Sequence, residues 1–165
     1  MKDGEVVYDK CFGHFTYDAA QPVTKEAVYD IASLTKIFAS TLAIMKLYDE
    51  KKIDLNEKLS DYFPYLKGTD KEDIRIIDVM THQSGLKPWF PFYKYTIDEK
   101  GNYSDVFRPA IDESHSVRVA ENLYVSNDYK YAIVDTIINS KLGEKKYKYS
   151  VVGFYFIPKI VEMVT

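Results

Sequence analysis

Ser33 and Lys36 sit three residues apart in the run Tyr29-Asp30-Ile31-Ala32-Ser33-Leu34-Thr35-Lys36. A hydroxyl and an amine at that spacing are a nucleophile and its candidate base. A helix places side chains at i and i+3 on one face, so Ser33 Oγ and Lys36 Nζ can meet if the segment is helical. The residues downstream predict that it is. Leu34, Ile37, Phe38, Thr41, Leu42, Met45 and Tyr48 recur at three- and four-residue steps, Asp30 stands upstream as a cap, and no Gly or Pro intervenes before Asp49. The predicted helix, from about Ser33 to Asp49, would bury that stripe and so fix both side chains. Its first N–H groups would point outward where an oxyanion could form. The plain alternative is a Ser33 that caps the helix and a solvated Lys36.

A second serine and lysine share the spacing, in Ser84-Gly85-Leu86-Lys87, but Gly85 reads as a helix stop and nothing would hold Lys87 over Ser84. Three longer blocks set the first pair apart. One is YDIASLTKIFASTLAIMKLYDEKKIDLNEKLSDYFP, one is IRIIDVMTHQSGL from Ile74 to Leu86, and one is YKYSVVGFYFIPKIVEMVT. Together they resemble the penicillin-binding protein and class C β-lactamase superfamily of serine hydrolases, whose signature is serine-x-x-lysine. With its tyrosine-rich linker the chain also resembles β-lactamase-like domains of Bacteroides-type bacteria, some of them fused to glycoside hydrolases.

The resemblance implies roles. Ser33 would be the acylated nucleophile, Lys36 the base, and Tyr149 the group that shuttles protons during acyl transfer. Each role has a physical requirement. A serine hydroxyl is a poor nucleophile until a positioned group takes its proton. A free lysine, with a pKa of about 10.4, must have its charge disfavoured by burial or a nearby cation before it accepts one. Lys146 and Lys148 could add positive potential near Tyr149.

The chain also departs from the family pattern. Where the tyrosine element should carry Asn or Asp two residues on, it has Val151, which offers neither donor nor acceptor. No third motif of Lys-Thr-Gly or His-x-Gly type follows, and its strand normally supplies one oxyanion-hole N–H, worth about 2.7–4 kcal/mol. The family domain is commonly about twice as long, and Met1-Lys2-Asp3-Gly4 looks like the turn of a hairpin whose first strand is absent. The expectation is a single partial domain over residues 1–165.

Composition excludes little. The 165 residues, 46% hydrophobic and 28% charged, suit one globular domain. A net charge of −3 with scattered lysines gives no basic field for nucleic acid, and no apolar stretch approaches the roughly 20 residues of a membrane span. The lone Cys11 cannot form an internal disulfide. His14, His82 and His115 lack a metal-ligand rhythm, so neither metal nor cofactor is expected; His82 is read as bonding the turn around Ser84 and Gly85. Paired acids such as Glu72-Asp73 or Asp112-Glu113 read as solvated faces rather than a glycosidase pair. The first residues are charged, without a signal peptide, so a periplasmic or exported location rests on the resemblance alone.

The element pattern predicts strands from Glu5 to Asp9 and Cys11 to Tyr17, and short helices near Asn56 to Tyr62 and Ile74 to Thr81. A long loop then runs from Lys87 to about Asp112, a lid or an insertion, followed by helices from about Asp128 to Ser140 and Val152 to Val164, the last broken at Pro158. The fifteen tyrosines are read mainly as packing around the Asp128 helix. The implied class is α+β: the helical half of the β-lactamase/transpeptidase-like fold with an N-terminal β-hairpin and an incomplete sheet. Its unpaired edge predicts association through strands, either with a missing segment or with another copy as a homo-oligomer. Two functions follow. One is acyl transfer on a small-molecule or peptidoglycan-like amide or ester through an acyl-enzyme at Ser33. The other is a catalytically silent fragment or binding module that keeps the scaffold.

Overall fold

The computed structural model describes residues 1–165, which form two compact units, residues 1–35 and 36–165. In the first unit Asp3 and Gly4 both take positive φ, 51° and 85°. Lys2 and Glu5 exchange two N–H···O bonds of 2.9 Å, so the expected hairpin turn is present. A second turn pairs His14 with Pro22. The strands expected over residues 5–9 and 11–17 do not form, and this part of the hairpin expectation is corrected. A two-stranded ribbon holds together only when a third element covers one face, and here Val6, Val7, Tyr8 and Phe12 stay about two-thirds exposed.

The second unit opens with a π-helical segment, Lys36–Thr41, that runs into α1, Leu42–Asp49. Then come α2 (Leu59–Tyr62), α3 (Ile76–Met80), a three-stranded antiparallel sheet, α4 (Tyr129–Asn139) and α5 (Ile157–Val164). The sheet, β1 (Phe107–Arg108), β2 (Val117–Ala120) and β3 (Leu123–Val125), has the order β1-β3-β2, with Phe107 and Val117 both opposite Val125. Asn122 takes φ 51° at the β2–β3 turn, which only residues tolerant of the left-handed region accept readily. The sequence did not predict this hairpin.

The core is built from helix and loop residues. Ile44, Leu47, Leu59, Phe63, Ile76, Val79, Ile137, Phe156, Ile157 and Ile160 are all buried, and Phe63 meets Phe156 at 5.1 Å between ring centroids. Pro158 does not break the last helix in its middle. It occupies the first turn of α5, where its missing N–H costs nothing, and a 3₁₀ turn, Gly153–Tyr155, precedes it. The end of α4 is tied by Lys71, a lysine only 1% exposed. Its Nζ donates to Ile138 O at 2.9 Å and Ser140 O at 2.5 Å, carbonyls that the helix leaves unbonded, and to Asp70 at 2.5 Å.

The stripe expected to be buried along the serine-lysine helix is not. Ile37, Phe38, Leu42, Met45 and Tyr48 are 52–62% exposed, and the π segment buries no residue at all. Ile44 and Leu47 are the positions α1 packs inward. The helix is apolar on two faces, and the second unit buries one of them.

Candidate active site

Tyr149 is positioned by a strap, residues 143–151, laid along residues 82–88. Gly143 N–H donates to Gly85 O at 2.8 Å, Lys148 N–H to His82 O at 2.9 Å, and Val151 N–H to Pro88 O at 2.8 Å. Ser150, buried, donates its N–H to His82 Nδ1 at 3.2 Å and its hydroxyl to Lys87 O at 2.7 Å. The close approach needs glycine: a Cβ on Gly85 would lie 2.6 Å from Gly143 O, and Gly85 takes φ +77°. Lys145 fastens the strap to α3 by donating to Asp73 O at 2.9 Å and to Asp78 at 3.3 Å. The buried Asp78 carboxylate also accepts the Arg75 N–H at 3.0 Å, capping α3.

Two of the three candidate residues meet here. Lys36 Nζ lies 5.5 Å from the centroid of the Tyr149 ring and 5.6 Å from that of Phe154. An amine over two ring faces is held in place by their quadrupoles. Phe154 is in turn fixed because Gly153 sits so close to Val79 that a Cβ there would come within 2.8 Å of it. The His82 ring completes the cluster, 4.5 Å from Tyr149 and 5.3 Å from Phe154. Tyr149 is 43% exposed.

Ser33 belongs to the first unit. There it is exposed, in a turn whose geometry the sequence sets locally. Asp30 Oδ1 accepts the Ala32 N–H at 2.7 Å, a side-chain-closed turn, and Ala32 takes φ 44°. Such a conformation costs a non-glycine residue about 1–2 kcal/mol, so strain is stored one position before the candidate nucleophile. Leu34 N–H then bonds Ile31 O at 2.9 Å and Thr35 N–H bonds Ala32 O at 3.1 Å, which starts the helical run. Asp30 thus acts as a turn-closing residue, close to the capping role expected of it.

The rejected pair behaves as its neighbour Gly85 predicted. Ser84 is buried within its turn with Oγ accepting the Leu86 N–H at 3.3 Å, and Lys87 reaches over Phe90 instead, 5.3 Å from its centroid. Lys146 pairs with Glu144 at 2.8 Å. Val151 is half-buried and contributes its backbone to the strap, while its side chain brings no polar group. His82 is the residue whose part the sequence reading misplaced: its ring accepts from Ser150 rather than closing the Ser84-Gly85 turn. The only available signal was its place in the Thr81-His82-Gln83-Ser84-Gly85-Leu86 segment.

A helical layer led by a serine-x-x-lysine run, a small antiparallel sheet and a strapped tyrosine beside the lysine define the scaffold class of the acyl-transferring serine hydrolases. The chain belongs to the β-lactamase family, whose model matches residues 1–165. It is 35% identical over 118 residues to an N-acetylmuramyl-L-alanine amidase of Bacillus subtilis, a match that covers 62% of this chain and 26% of the amidase. It is 37% identical over 108 residues to a Salmonella paratyphi B protein provisionally named as a D-alanyl-D-alanine carboxypeptidase, covering 55% of this chain and 24% of that one. Among solved structures it resembles the octameric penicillin-binding protein homologue from Pyrococcus abyssi, with a TM-score of 0.61, 28% identity, and coverage of 99% of this chain and 33% of that one. Class C β-lactamases share the fold. The chain thus spans about a quarter to a third of the length of these proteins.

Proposed function

We propose that the chain carries the acyl-transfer residues of a serine hydrolase acting on an amide or ester of peptidoglycan-like type. Ser33 Oγ attacks the carbonyl carbon, its proton passes to Lys36 once that side chain has given up a proton to solvent, and the tetrahedral oxyanion collapses to an acyl-enzyme. The proton travels through the Tyr149 hydroxyl to the leaving nitrogen or oxygen. Water then repeats the sequence in reverse and frees the acid and Ser33. The observation that supports this most directly is the Lys36 amine 5.5 Å over the Tyr149 ring, with the tyrosine held by a hydrogen-bonded strap. The relatives' names, an amidase and a D,D-carboxypeptidase, point to peptidoglycan amides and hence to an exported setting. Self-association is part of the proposal. The exposed strand β2 lies at an edge of the sheet, and the octameric relative sets a precedent.

The test is covalent labelling. Incubation with a fluorescent penicillin or a fluorophosphonate, followed by intact mass, is expected to give one adduct that Ser33→Ala abolishes. A wild-type chain that never acquires mass contradicts the proposal. The second reading, a catalytically silent scaffold, is favoured by one observation: Val151 stands where an amide would hold lysine and substrate. Val151→Asn separates the two. On the first reading it speeds labelling, roughly tenfold or more for a restored polar contact; on the second, labelling stays absent.

A further inference from the structure

We propose that His82 is a positioning residue for Tyr149: a neutral imidazole that clamps the strap on both sides of the tyrosine and supports its ring from behind. The inference rests on the reading of Tyr149 as the proton-transferring group. The two N–H groups that flank Tyr149 both end on this one residue. Lys148 N–H donates to the His82 carbonyl at 2.9 Å and Ser150 N–H to the His82 ring at Nδ1, 3.2 Å away. A tyrosine between two such anchors has little backbone freedom left. Its ring is then confined by stacking, with centroids 4.5 Å apart and planes tilted by 42°.

The arrangement dictates the protonation state. An N–H donor aimed at Nδ1 needs a lone pair there, so the ring proton sits on Nε2; a proton on Nδ1 would set two donors against each other. Lys36, near the Tyr149 and Phe154 rings, adds positive potential, and Tyr147 meets the ring edge-on at 6.3 Å. The backbone bears the cost of the arrangement. His82 takes φ +57°, in the left-handed region that a histidine occupies rarely, and that conformation lets one residue present both its carbonyl and its ring to the same strap.

Two substitutions separate the clamp from the turn. His82→Asn keeps tolerance of the left-handed conformation and an acceptor near Nδ1 but removes the ring. His82→Ala removes both. In the full chain labelled with 3-fluorotyrosine, and with Tyr149→Phe used to assign the signal, the Tyr149 resonance is expected to move and broaden in His82→Ala, and to move without broadening in His82→Asn. In fluorophosphonate labelling, His82→Ala should lower the maximal rate about 10- to 100-fold, the loss typical of about 1 Å of misplacement, with the half-saturating probe concentration unchanged and partial rescue by asparagine. Ile44→Val, a mild core change distant in sequence, serves as the stability control. A Tyr149 signal that is unmoved by His82→Ala, or moved equally by Ile44→Val, overturns the clamp. If labelling is absent in the wild type, the hydrolase reading fails, and the fluorine signal still decides the positioning.

Discussion

The two parts of the second unit that bring Lys36 and Tyr149 together are supported in opposite ways. The strap that carries Tyr149 is over-determined: five hydrogen bonds to residues 82–88, a glycine–glycine approach at Gly85 and an ion-paired lysine fix it from several directions. The helical run that carries Lys36 begins in a π segment with no buried residue, and α1 packs inward only at Ile44 and Leu47. Backbone polar groups fix the tyrosine with little help from burial. The lysine is fixed by ring faces, Tyr149 and Phe154, rather than by its own helix. Accuracy at the candidate site therefore comes from the loops, and the apolar outer face of the helix is not buried by the second unit.

The contrast can be tested first where burial is complete. Leu59 is fully buried in α2, so Leu59→Ala should destabilise by about 2–5 kcal/mol, the cost of lost transfer energy plus a cavity. Thermal unfolding followed by circular dichroism reads this as a lowering of roughly 2–4 °C per kcal/mol for a chain of this size. A loss as small as that of a surface change would mean that the second unit has no consolidated core.

The next largest effect belongs to Lys71. Lys71→Met keeps the apolar stem but leaves the Ile138 and Ser140 carbonyls without their buried donor, at about 1–3 kcal/mol. Amide exchange should rise first in the last turn of α4. Uniform loosening across the unit would show instead that the lysine is packed rather than bonded.

A smaller effect tests the strap through pH. Burial lowers the His82 pKa below the ordinary value of about 6.5, with Lys36 acting in the same direction. The folded form thus resists a proton that the unfolded chain accepts. The stability of the neutral imidazole is fully present above pH about 6.5 and is lost as pH falls from there through the folded value. Unfolding temperature should step down over that range in the wild type, and the step should be missing in His82→Asn. Equal steps in both would assign it to other groups.

The legibility of the sequence follows the same division. Helical periodicity located α4 within a residue and α5 up to its Pro158 entrance, because those helices satisfy their pattern inside this chain. The same reasoning placed Ile37, Phe38 and Leu42 in a core, because periodicity reports that a face is apolar without saying what covers it. The 3.6-residue count also has no means of foreseeing a π segment. Strands over residues 5–9 and 11–17 failed for the complementary reason, since alternation needs a partner strand to become a ladder. The β2–β3 hairpin was missed because its turn, Glu121-Asn122, lacks the glycine that marks such turns. Ser33, Lys36 and Tyr149 were named from the sequence as candidates. Their support was not, because the His82 clamp joins positions 68 apart in sequence through backbone groups that carry no residue signature.

The smallest expected effect is on the exposed face of the lysine's helix. Phe38 is 62% exposed, and Phe38→Ser should change stability by no more than about 0.5 kcal/mol, as surface changes usually do, although the residue is a large aromatic in the middle of the predicted stripe. Helix propensity is about equal for phenylalanine and serine and adds little to this. The informative measurement is therefore a comparison: urea unfolding of Phe38→Ser and Leu59→Ala side by side, together with light scattering of each at high protein concentration. Near-wild-type stability with reduced association for Phe38→Ser would identify the outer face as an adhesive surface that adds nothing to the fold of the isolated chain. A loss approaching that of Leu59→Ala would show the face is covered in solution, and the division between a loop-fixed tyrosine and a half-supported lysine helix would no longer stand.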